Sequence, residues 1–376
     1  MQYSLSDYQY MAEAIALAKK GRFTTTPNPN VGCLIVKNHK IIGRGWHKKA
    51  GSGHAEVNAL RDLTFEQSSG ATAYVTLEPC SHFGRTPPCA QLLIDSGIKK
   101  VFVAMLDTNP QVSGKGITML QQAGIEVQTG LLEQEARCLN LGFFSRIEKK
   151  RPYIKVKMAC SIDGKVALEN GDSQWITGKD ARSDVQTHRA LSSAVLSTAK
   201  TVLMDNATLN VRQQSLNFEY PIDETNTEIR QPIRLILDSK NQITLDKISS
   251  LSLFSEQSTI VLFRNKLTNE FAKIDWITEV ALDYQSGFDL TALLGWCTSN
   301  EINDLWVEAG STLAASFIEQ SIFDELIIYQ APKIMGATAQ DVLPLGPFNN
   351  MSQIFQLKMT DVTQVGSDLR MTYTIG

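Results

Sequence analysis

The chain has 376 residues, 43% of them hydrophobic, and a formal net charge of −3 at pH 7. This length predicts two or three domains, each able to bury a core. The balanced charge and the lack of a lysine- or arginine-rich run argue against a nucleic-acid partner, because phosphate binding usually requires a basic surface. No apolar run approaches the roughly 20 residues of a membrane span, and the N-terminus lacks the pattern of a signal peptide. We therefore expect a cytoplasmic protein without a disulfide scaffold, since six cysteines are few for this length.

The first half of the chain alternates helices and strands, which is typical of a mixed α/β layer. A first helix is predicted at about 6–20, with Ser6 as its N-cap and Gly21 as its stop. A charged, proline-containing stretch at 145–156 ends this half, so we expect domains at 1–147 and 148–376. The other predicted elements are strands at 31–38, 40–47, 72–78, 99–106 and 125–130, and helices beginning near 54, near 88 and at about 115–123.

The alternation resumes in the second half, which is again predicted to be α/β. Helices are expected at about 179–192 and 288–299, and a further helix begins at Ser311. A glycine turn within 361–375 predicts a pair of strands at the end of the chain. The remaining strands are predicted at 153–160, 199–205, 232–239, 258–265, 304–309 and 325–332.

Two short motifs in the first half carry metal-binding residue types. His54 and Glu56 open a predicted helix, and Cys80 and Cys89 each follow a proline. A catalytic zinc takes imidazole nitrogen and thiolate sulfur from three protein ligands and keeps a fourth position for water. We therefore predict His54, Cys80 and Cys89 as zinc ligands. Glu56 lies about 200° further round the helix, so it is expected to reach the water and shuttle its proton.

A His-x-Glu motif followed by Pro-Cys is the signature of zinc deaminases, which release ammonia from a nucleobase. That signature has two residues between its cysteines, whereas eight separate Cys80 from Cys89. The inserted loop brings His82, Arg85 and Thr86, which would bind substrate, and His82 is also an alternative metal ligand.

Simpler interpretations are that His54 only caps its helix and that the cysteines are ordinary buried thiols. The ordered combination of the three motifs favours zinc. The other cysteines lack such a context and are predicted to be buried thiols: Cys33, Cys138, Cys160 and Cys297.

Three segments resemble the deaminase half of the bifunctional riboflavin-biosynthesis deaminase/reductase family: TTTPNPNVGCLIV, GRGWHKKAGSGHAEVNAL and TLEPCSHFGRTPPCAQLLIDSGIKKVFVA. In that family the eight-residue gap between the cysteines is the normal spacing. The resemblance implies a cytidine-deaminase-like α/β/α fold with zinc. It also implies that the PNPNVG loop shapes a pyrimidine pocket with Asn30 as a candidate contact, although this loop is also ordinary turn chemistry.

The second half shows no Gly-x-Gly-x-x-Gly after its first strand, so a Rossmann dinucleotide site is not predicted. In DLWVEAGSTLAASFIEQ a strand ends near Glu308, and Gly310, Ser311 and Thr312 open a helix. Backbone N–H groups at such a helix start bind phosphate well. The same pattern also fits a routine strand–loop–helix connection.

Five segments match, in order, the reductase half of the same family: KMACSIDGKVA, GDSQWITG, VLMDNATLNVR, PIRLILDS and VEAGSTLAASF. The resemblance implies a dihydrofolate-reductase-like α/β fold that uses NADPH. The positions it implies for the cofactor are Ala159, Trp175, Thr201, Asp205, Ser239, Gly310, Ser311, Thr312, Leu313, Ala314, Ala315 and Ser316. The positions it implies for the substrate are Ser173, Arg189, Leu209, Arg212 and Glu308.

The resemblance also gives some of these residues individual roles. Lys157 and Asp205 are candidates for assisting the reduction. Arg189 and Arg212 would grip a ribose phosphate bidentately, with solvated surface arginines as the alternative. Trp175 would either stack on the nicotinamide or pack in a core.

The resemblance implies two consecutive reactions. The first is hydrolytic deamination of 2,5-diamino-6-(5-phosphoribosylamino)pyrimidin-4-one, and the second is NADPH-dependent reduction of the ribosyl chain to give 5-amino-6-(5-phosphoribitylamino)uracil. We expect this phosphorylated pyrimidine as the small-molecule partner, no nucleic acid or membrane, and a homo-oligomer, dimer or tetramer. Two alternatives stay open: a zinc deaminase of another nucleobase or of RNA with an RNA-binding second half, and a zinc deaminase with a purely structural second half.

Overall fold

A computed structural model describes residues 3–81, 87–109, 113–216 and 229–376, and the chain divides into two compact units. The first unit comprises the described residues up to 150 together with 229–230, and the second comprises 151–216 and 231–376. Within these described ranges, none of the helices combines the length and the apolar character needed to cross a membrane.

The first unit is built on one five-stranded sheet. Its strands are β1 (Gly32–Lys37), β2 (Lys40–Trp46), β3 (Thr72–Val75), β4 (Lys100–Val103) and β5 (Glu126–Thr129). Its helices are α1 (Leu5–Ala18), α2 (Ala55–Leu60), α3 (Phe65–Ser68), α4 (Cys89–Asp95), α5 (Lys115–Gln122), α6 (Glu133–Cys138) and α7 (Leu141–Glu148). The strand order is β2-β1-β3-β4-β5, in which β1 is antiparallel to β2 and β3, and β3, β4 and β5 are parallel.

Helices cover both faces of this sheet. Because successive side chains of a strand point to opposite faces, Cys33 and Ile35 of β1 pack with α2, α4 and α5. Leu34 and Val36 of the same strand pack with α1, α6 and α7 on the other face. This is the three-layer α/β/α arrangement expected from the sequence.

The second unit contains a larger sheet. Its strands are β6 (Tyr153–Cys160), β7 (Lys165–Ala167), β8 (Ala194–Thr198), β9 (Ile233–Leu237), β10 (Ile260–Arg264), β11 (Ile277–Ala281), β12 (Asp304–Glu308), β13 (Glu325–Gln330), β14 (Gln340–Asp341), β15 (Leu357–Val365) and β16 (Asp368–Ile375). Its helices are α8 (Lys179–Leu191), α9 (Ala199–Asp205), α10 (Leu290–Ser299) and α11 (Ser311–Glu319). Nine strands pair in the order β11-β10-β9-β8-β12-β6-β13-β16-β15, and β7 and β14 form a separate pair.

The seven strands from β11 to β13 are parallel, and the hairpin β15–β16 adds two antiparallel strands at one edge. Two apolar clusters line the two faces of the sheet. One cluster includes α10 and α11, and the other includes α8 and α9. A parallel sheet with helices on both faces is the α/β arrangement predicted from the alternating pattern.

The start of the first helix differs from the prediction. Ser4, not Ser6, is the N-cap, because its hydroxyl accepts from the Asp7 N–H over 3.2 Å while the Asp7 carboxylate accepts from the Ser4 N–H over 2.8 Å. This reciprocal pair, a capping box, satisfies two backbone N–H groups at the start of the helix. The helix ends at Ala18, and Gly21 ends a following 3-10 turn, Lys19–Gly21.

The strand predicted at 199–205 is also wrong. The buried strand is β8, and it ends at Thr198, whose side chain accepts from the Thr201 N–H and caps α9. Ala199 and Val202 are buried at the i, i+3 spacing of a helix. The side-chain cap therefore converts the chain from strand to helix at a point where the apolar pattern alone is ambiguous.

Several further elements were not predicted, namely α3, α6, α7, β7, β11 and β14. Helices α6 and α7 lie before the expected domain boundary, and α7 continues into the charged stretch as far as Glu148. Strand β11 lies at one edge of the large sheet, and Ile277 is its one buried residue, so its sequence lacks a strong apolar pattern.

Candidate active sites

His54 occupies the N-cap position of α2, but its side chain makes no capping hydrogen bond. Its Nδ1 atom instead lies 3.2 Å from Sγ of Cys89 and 3.7 Å from Sγ of Cys80. The simple interpretation of His54 as a helix cap is therefore not supported. The imidazole is directed at the two cysteines.

Cys80 and Cys89 converge although eight residues separate them. Cys89 is the first residue of α4, after Pro88 as N-cap, and its N–H donates to Sγ of Cys80 over 3.3 Å. The ligand atoms of His54, Cys80 and Cys89 all lie within 4.8 Å of one another. Tetrahedral zinc with Zn–N and Zn–S bonds of about 2.0 and 2.3 Å would separate such atoms by about 3.6 Å. The donor set therefore fits zinc in both atom type and spacing.

The loop between the two cysteines contains His82, Arg85 and Thr86, which lie outside the described residues. Their expected roles, including His82 as an alternative ligand, stay predictions.

The thiols influence each other's protonation. A hydrogen bond from Cys89 lowers the pKa of Cys80, and the same hydrogen bond together with burial raises the pKa of Cys89. The hydrogen bond to Cys80 raises the pKa of His54. These shifts favour a Cys80 thiolate that accepts a hydrogen bond from the Cys89 thiol.

Glu56 lies in the first turn of α2 and is 3% exposed. Burial raises the pKa of its carboxyl group, and the group interacts with Cys89. No ligand atom of Glu56 belongs to the three-residue cluster. Its placement next to the cluster, without membership of it, is the arrangement expected of a proton shuttle.

Two residues of this site were not predicted from the sequence: His47, and Asn28, which contacts it. His47 is buried, and its ring lies edge-on against His54 with the ring centres 5.5 Å apart. Its Nδ1 lies 3.2 Å from the Gly53 carbonyl and its Nε2 lies 3.1 Å from the Asn28 amide. Nδ1 therefore donates and Nε2 accepts, which fixes a neutral imidazole, and burial lowers the pKa of His47 in the same sense. A second histidine in the loop just before His54 was the available signal.

Asn30, the expected pyrimidine contact, makes hydrogen bonds to protein groups away from the histidines. Its amide donates to the Leu139 carbonyl over 3.1 Å, and its N–H donates to the Asn140 side chain over 2.7 Å. Asn30 therefore anchors its loop to the connection between α6 and α7. Asn28 is the asparagine of this loop that faces the histidines.

Glu78 organises the loop that precedes α5. Its buried carboxylate accepts from the N–H groups of Asp107, Gly114 and Gly116 over 3.3, 3.0 and 2.9 Å. A side chain at Gly116 would lie 2.0 Å from the carbonyl oxygen of Pro79. Glu78 thus holds this loop against the segment that leads into Cys80.

Cys33, Cys160 and Cys297 are buried thiols as predicted, but Cys138 is exposed. The prediction for Cys138 is wrong because Ala136 provides the buried contact of α6, and a residue two positions on lies about 200° round the helix.

In the second unit, parallel pairing of β6 with β12 places Lys157 beside Glu308. Arg189 of α8 donates to both oxygens of Glu308, from Nε over 2.5 Å and from Nη2 over 2.8 Å. Although burial opposes ionisation, the Arg189 guanidinium lowers the pKa of Glu308 to about 2. Burial lowers the pKa of Lys157. The structure therefore brings together three residues that were expected at the reductase site.

The predicted grip of Arg189 on phosphate stays a prediction, and in this structure its guanidinium is hydrogen-bonded to protein groups. Its two fork donors are paired with Glu308, and Nη1 donates to the Asn210 carbonyl over 2.9 Å. Arg212, by contrast, is exposed. Only Arg212 of the two presents its guanidinium to solvent, where a phosphate group can approach.

Trp175 is 64% exposed, so it does not pack in a core. Its ring stacks under the Arg182 guanidinium at 4.6 Å. With Ser173, Leu168 and Met335, it lines a cleft of about 160 Å³. The open ring face agrees with the stacking alternative.

Several of the expected cofactor positions lie at the carboxyl ends of the parallel strands in the large sheet. The carboxyl ends of the adjacent parallel strands β9, β8, β12 and β6 lead to Ser239, Thr201, Gly310 and Ala159 respectively, and Asp205 ends α9 as an exposed residue. In open α/β sheets, ligands bind at this edge.

Gly310 is the N-cap of α11, with φ −67° and ψ 168°, and a Cβ atom there would meet nothing within 4 Å. The backbone at Gly310 would therefore accept a side chain without strain. Ser311 and Thr312 lie at the surface of the first turn.

Four further predicted residues do not present side chains to a ligand. Ala314 and Ala315 are buried in the core, Leu313 packs against it, and Leu209 is 1% exposed.

The comparisons with known proteins cover both units. The family described as the cytidine and deoxycytidylate deaminase zinc-binding region matches residues 5–105, and the RibD C-terminal domain family matches residues 152–371. The riboflavin biosynthesis protein RibD of Buchnera aphidicola is 44% identical over 376 residues, covering 98% of this chain and 99% of the relative.

Two solved structures are similar over 99% of both chains. RibD of Acinetobacter baumannii has a TM-score of 0.89 and 41% identity. A diaminohydroxyphosphoribosylaminopyrimidine deaminase/5-amino-6-(5-phosphoribosylamino)uracil reductase of Thermotoga maritima has a TM-score of 0.85 and 34% identity.

These similarities confirm the family resemblance in both halves and the two expected folds. The alternatives with an RNA-binding or purely structural second half are not favoured, because the RibD C-terminal domain family covers most of that half. This chain belongs to the RibD family of bifunctional riboflavin-biosynthesis enzymes, with a cytidine-deaminase-like domain followed by a dihydrofolate-reductase-like reductase domain.

Proposed function

We propose that residues 1–147 deaminate 2,5-diamino-6-(5-phosphoribosylamino)pyrimidin-4-one and that residues 148–376 reduce its ribosyl group with NADPH. The product is 5-amino-6-(5-phosphoribitylamino)uracil. The activities named for the Thermotoga relative support these substrates. The observation that carries the deaminase half is the convergence of His54, Cys80 and Cys89 within 4.8 Å, next to the buried Glu56.

For the first step, His54, Cys80 and Cys89 are the residues that would hold zinc. When bound, zinc makes a water molecule acidic enough to attack at neutral pH. Glu56 would accept a proton from the attacking water and deliver it to the leaving amine. The ring carbon gains an oxygen and loses ammonia, so the reaction is a hydrolysis. His47, fixed as the neutral tautomer by Asn28 and Gly53, borders this site.

For the second step, the first turn of α11 from Gly310 to Thr312 is the place for a cofactor phosphate. Gly310 has open space around it, and helix-start N–H groups favour an anion. NADPH supplies the hydride that reduces the sugar carbon. Trp175 is expected to stack on the nicotinamide, and Ser173, Glu308 and the exposed Arg212 are expected to hold the substrate.

Lys157 and Asp205 are the candidates for proton transfer in the second step. Lys157 lies beside Glu308, and burial lowers the pKa of Lys157. A lysine with a lowered pKa gives up a proton more readily than an ordinary one. When the sugar ring opens, its oxygen gains a proton, and Lys157 would supply it.

Purified protein incubated with the phosphorylated diaminopyrimidine and NADPH tests both steps together. Ammonia release, NADPH oxidation and zinc content are measured on the same sample. We expect one ammonia and one oxidised NADPH per product molecule, and both to require zinc because reduction follows deamination. Ammonia release without NADPH oxidation would refute the reductase half, and salt-sensitive deamination of RNA would favour the RNA-directed alternative. A cytoplasmic location and a homo-oligomeric state stay predictions.

A further inference from the structure

Trp306 and Glu308 are neighbours on one face of β12. They lie two residues apart on the strand, so their side chains point the same way. The indole Nε1 donates a hydrogen bond to Oε1 of Glu308 over 2.6 Å. Trp306 is completely buried. Its only polar atom is therefore directed at the carboxylate expected to contact the substrate.

The hydrogen bonds on Glu308 distinguish its two oxygens. Oε1 accepts from Arg189 Nε over 2.5 Å and from Trp306 Nε1 over 2.6 Å. Oε2 accepts from Arg189 Nη2 over 2.8 Å. A carboxylate offers about four acceptor positions, so the described donors fill both positions on Oε1 and one of the two on Oε2. Trp306 thereby assigns Oε2 as the oxygen left for a substrate hydroxyl.

The indole itself is held rigidly. The imidazole of His188 stacks on the Trp306 ring with 4.6 Å between ring centres and 3° between planes. His188 precedes Arg189 on α8, so one turn of this helix holds both the indole and the carboxylate. Burial lowers the pKa of His188 to about 3, which keeps the stacked imidazole neutral.

We propose that Trp306 is a positioning residue of the reductase: its indole N–H fixes the Glu308 carboxylate so that Oε2 faces the ribosyl group of the substrate. The inference rests on the proposed function, in which Glu308 binds substrate. Arg189 alone defines the plane of the carboxylate. The third hydrogen bond from Trp306 selects which oxygen stays available.

Trp306→Phe removes the N–H while keeping an aromatic ring over His188. We expect KM of the reductase for its phosphorylated substrate to rise about tenfold, the low end for a hydrogen bond to a charged group. KM for NADPH and the deaminase rate should not change. Trp296→Phe is the matched control, since Trp296 lies on α10 and packs edge-on against Phe263. A normal KM for the substrate in Trp306→Phe would overturn the proposal.

A double-mutant cycle with Glu308→Gln separates positioning from general packing. If Trp306 acts through Glu308, adding Trp306→Phe to Glu308→Gln should change KM by less than about twofold, within the error of additivity for independent sites. An undiminished effect of about tenfold in the Glu308→Gln background would show that Trp306 acts by another route, and the proposal would fail.

The indole N–H resonance of Trp306 reports the contact with Glu308 while Trp306 itself is kept. The chain has five tryptophans, so the Trp306 signal can be assigned by its loss in Trp306→Phe or by selective labelling. Glu308→Gln should shift this signal upfield, because the acceptor loses its charge, and leave the Trp296 signal in place. An unshifted Trp306 signal would overturn the contact. Wild-type protein that neither binds nor oxidises NADPH would instead refute the proposed reductase function, which is a distinguishable result.

Discussion

The backbone N–H of Cys89 donates to Sγ of Cys80 over 3.3 Å, across a gap of eight residues in the chain. Zinc deaminases of the shorter signature place both cysteines close together in sequence. Here the first cysteine lies in a loop and the second begins α4. The helix start thus supports Cys80 directly, and the pair is preformed for a metal.

This pairing predicts the metal content of cysteine variants. Cys80→Ser and Cys89→Ser should each lose most of the zinc and all deaminase activity, because serine is a much poorer zinc ligand than thiolate. Reduction of the separately supplied deaminated intermediate should continue. Metal analysis on desalted protein measures the first effect, and Cys138→Ser, an exposed cysteine, is the control. Full zinc content in either ligand variant would disprove the ligand set.

Glu56→Gln should separate metal binding from proton transfer. The amide has the same shape but cannot take a proton from water, so deamination should fall by roughly 100-fold or more. Zinc content should remain at the wild-type level because Glu56 is outside the ligand cluster. Ammonia release and metal analysis are measured together. Loss of zinc would make Glu56 a ligand, and normal turnover would exclude it as the shuttle.

Gly310→Val tests the proposed phosphate position, and a loss of NADPH binding in this variant would not be explained by misfolding. The N-cap backbone is extended and its Cβ position is open, so valine should fold without strain. In the presence of NADPH the side chain should obstruct the phosphate at the helix start. We expect NADPH affinity to fall by about tenfold or more, the loss of a hydrogen bond to a charged group, and the deaminated intermediate to accumulate. Fluorescence titration with NADPH checks this, and unchanged affinity would mean that the phosphate binds elsewhere.

Arg212→Ala should act on the substrate and not on the cofactor. Arg212 is exposed, so its loss should cost little stability. A charged hydrogen bond to phosphate is worth about 1.5–3 kcal/mol, which predicts a rise in the reductase KM of roughly tenfold or more. NADPH affinity should stay constant. Steady-state kinetics with substrate and cofactor varied separately measure both quantities. An unchanged substrate KM, or a weakened NADPH affinity, would contradict the prediction.

His188 predicts a pH dependence of stability in the second unit. Burial lowers its folded-state pKa to about 3, from an ordinary value of 6.5, in surroundings that include Asp184, Lys155 and Arg370. Below about pH 6.5 the unfolded chain takes up a proton that the folded chain does not, so stability falls as pH drops toward 3. The slope is about 1.4 kcal/mol per pH unit from this group.

His188→Phe keeps a flat ring against Trp306 and removes the titration. Urea unfolding between about pH 6.5 and 4.5, the range in which the unfolded histidine is protonated, should therefore depend less steeply on pH in this variant than in wild type. Tryptophan fluorescence is a suitable probe because four of the five tryptophans lie in the second unit. His39→Asn, in an exposed turn, should leave the slope unchanged. Identical slopes for wild type and His188→Phe would refute the buried neutral state.

The sequence by itself determined the class of both folds and predicted the candidate metal ligands of the first unit. His54, Glu56, Cys80 and Cys89 are rare residue types in a recognisable order, and metal coordination restricts which types can serve. The alternation of apolar strands and amphipathic helices likewise predicts a parallel or mixed α/β layer, because the apolar faces of the strands must be buried by the helices that alternate with them.

Side-chain caps decided where two helices begin, which the pattern of apolar residues left ambiguous. Ser4 replaced Ser6 as a cap because Asp7 reaches back to it. Residues 199–205 became helix because Thr198 caps them. Each outcome depends on one or two side-chain hydrogen bonds, each worth about 1 kcal/mol, and apolar periodicity carries no information about them.

Only the tertiary structure decided how the reductase side chains are used. Arg189 and Glu308 are 119 residues apart in the chain, and their pairing engages the Nε and Nη2 donors of Arg189 with a carboxylate. Asn28, not Asn30, faces His47 because Asn140, 110 residues away, holds Asn30. A local pattern records the residue types but not their distant partners, and it is the partner that determines whether a charge or an amide is free to bind a ligand.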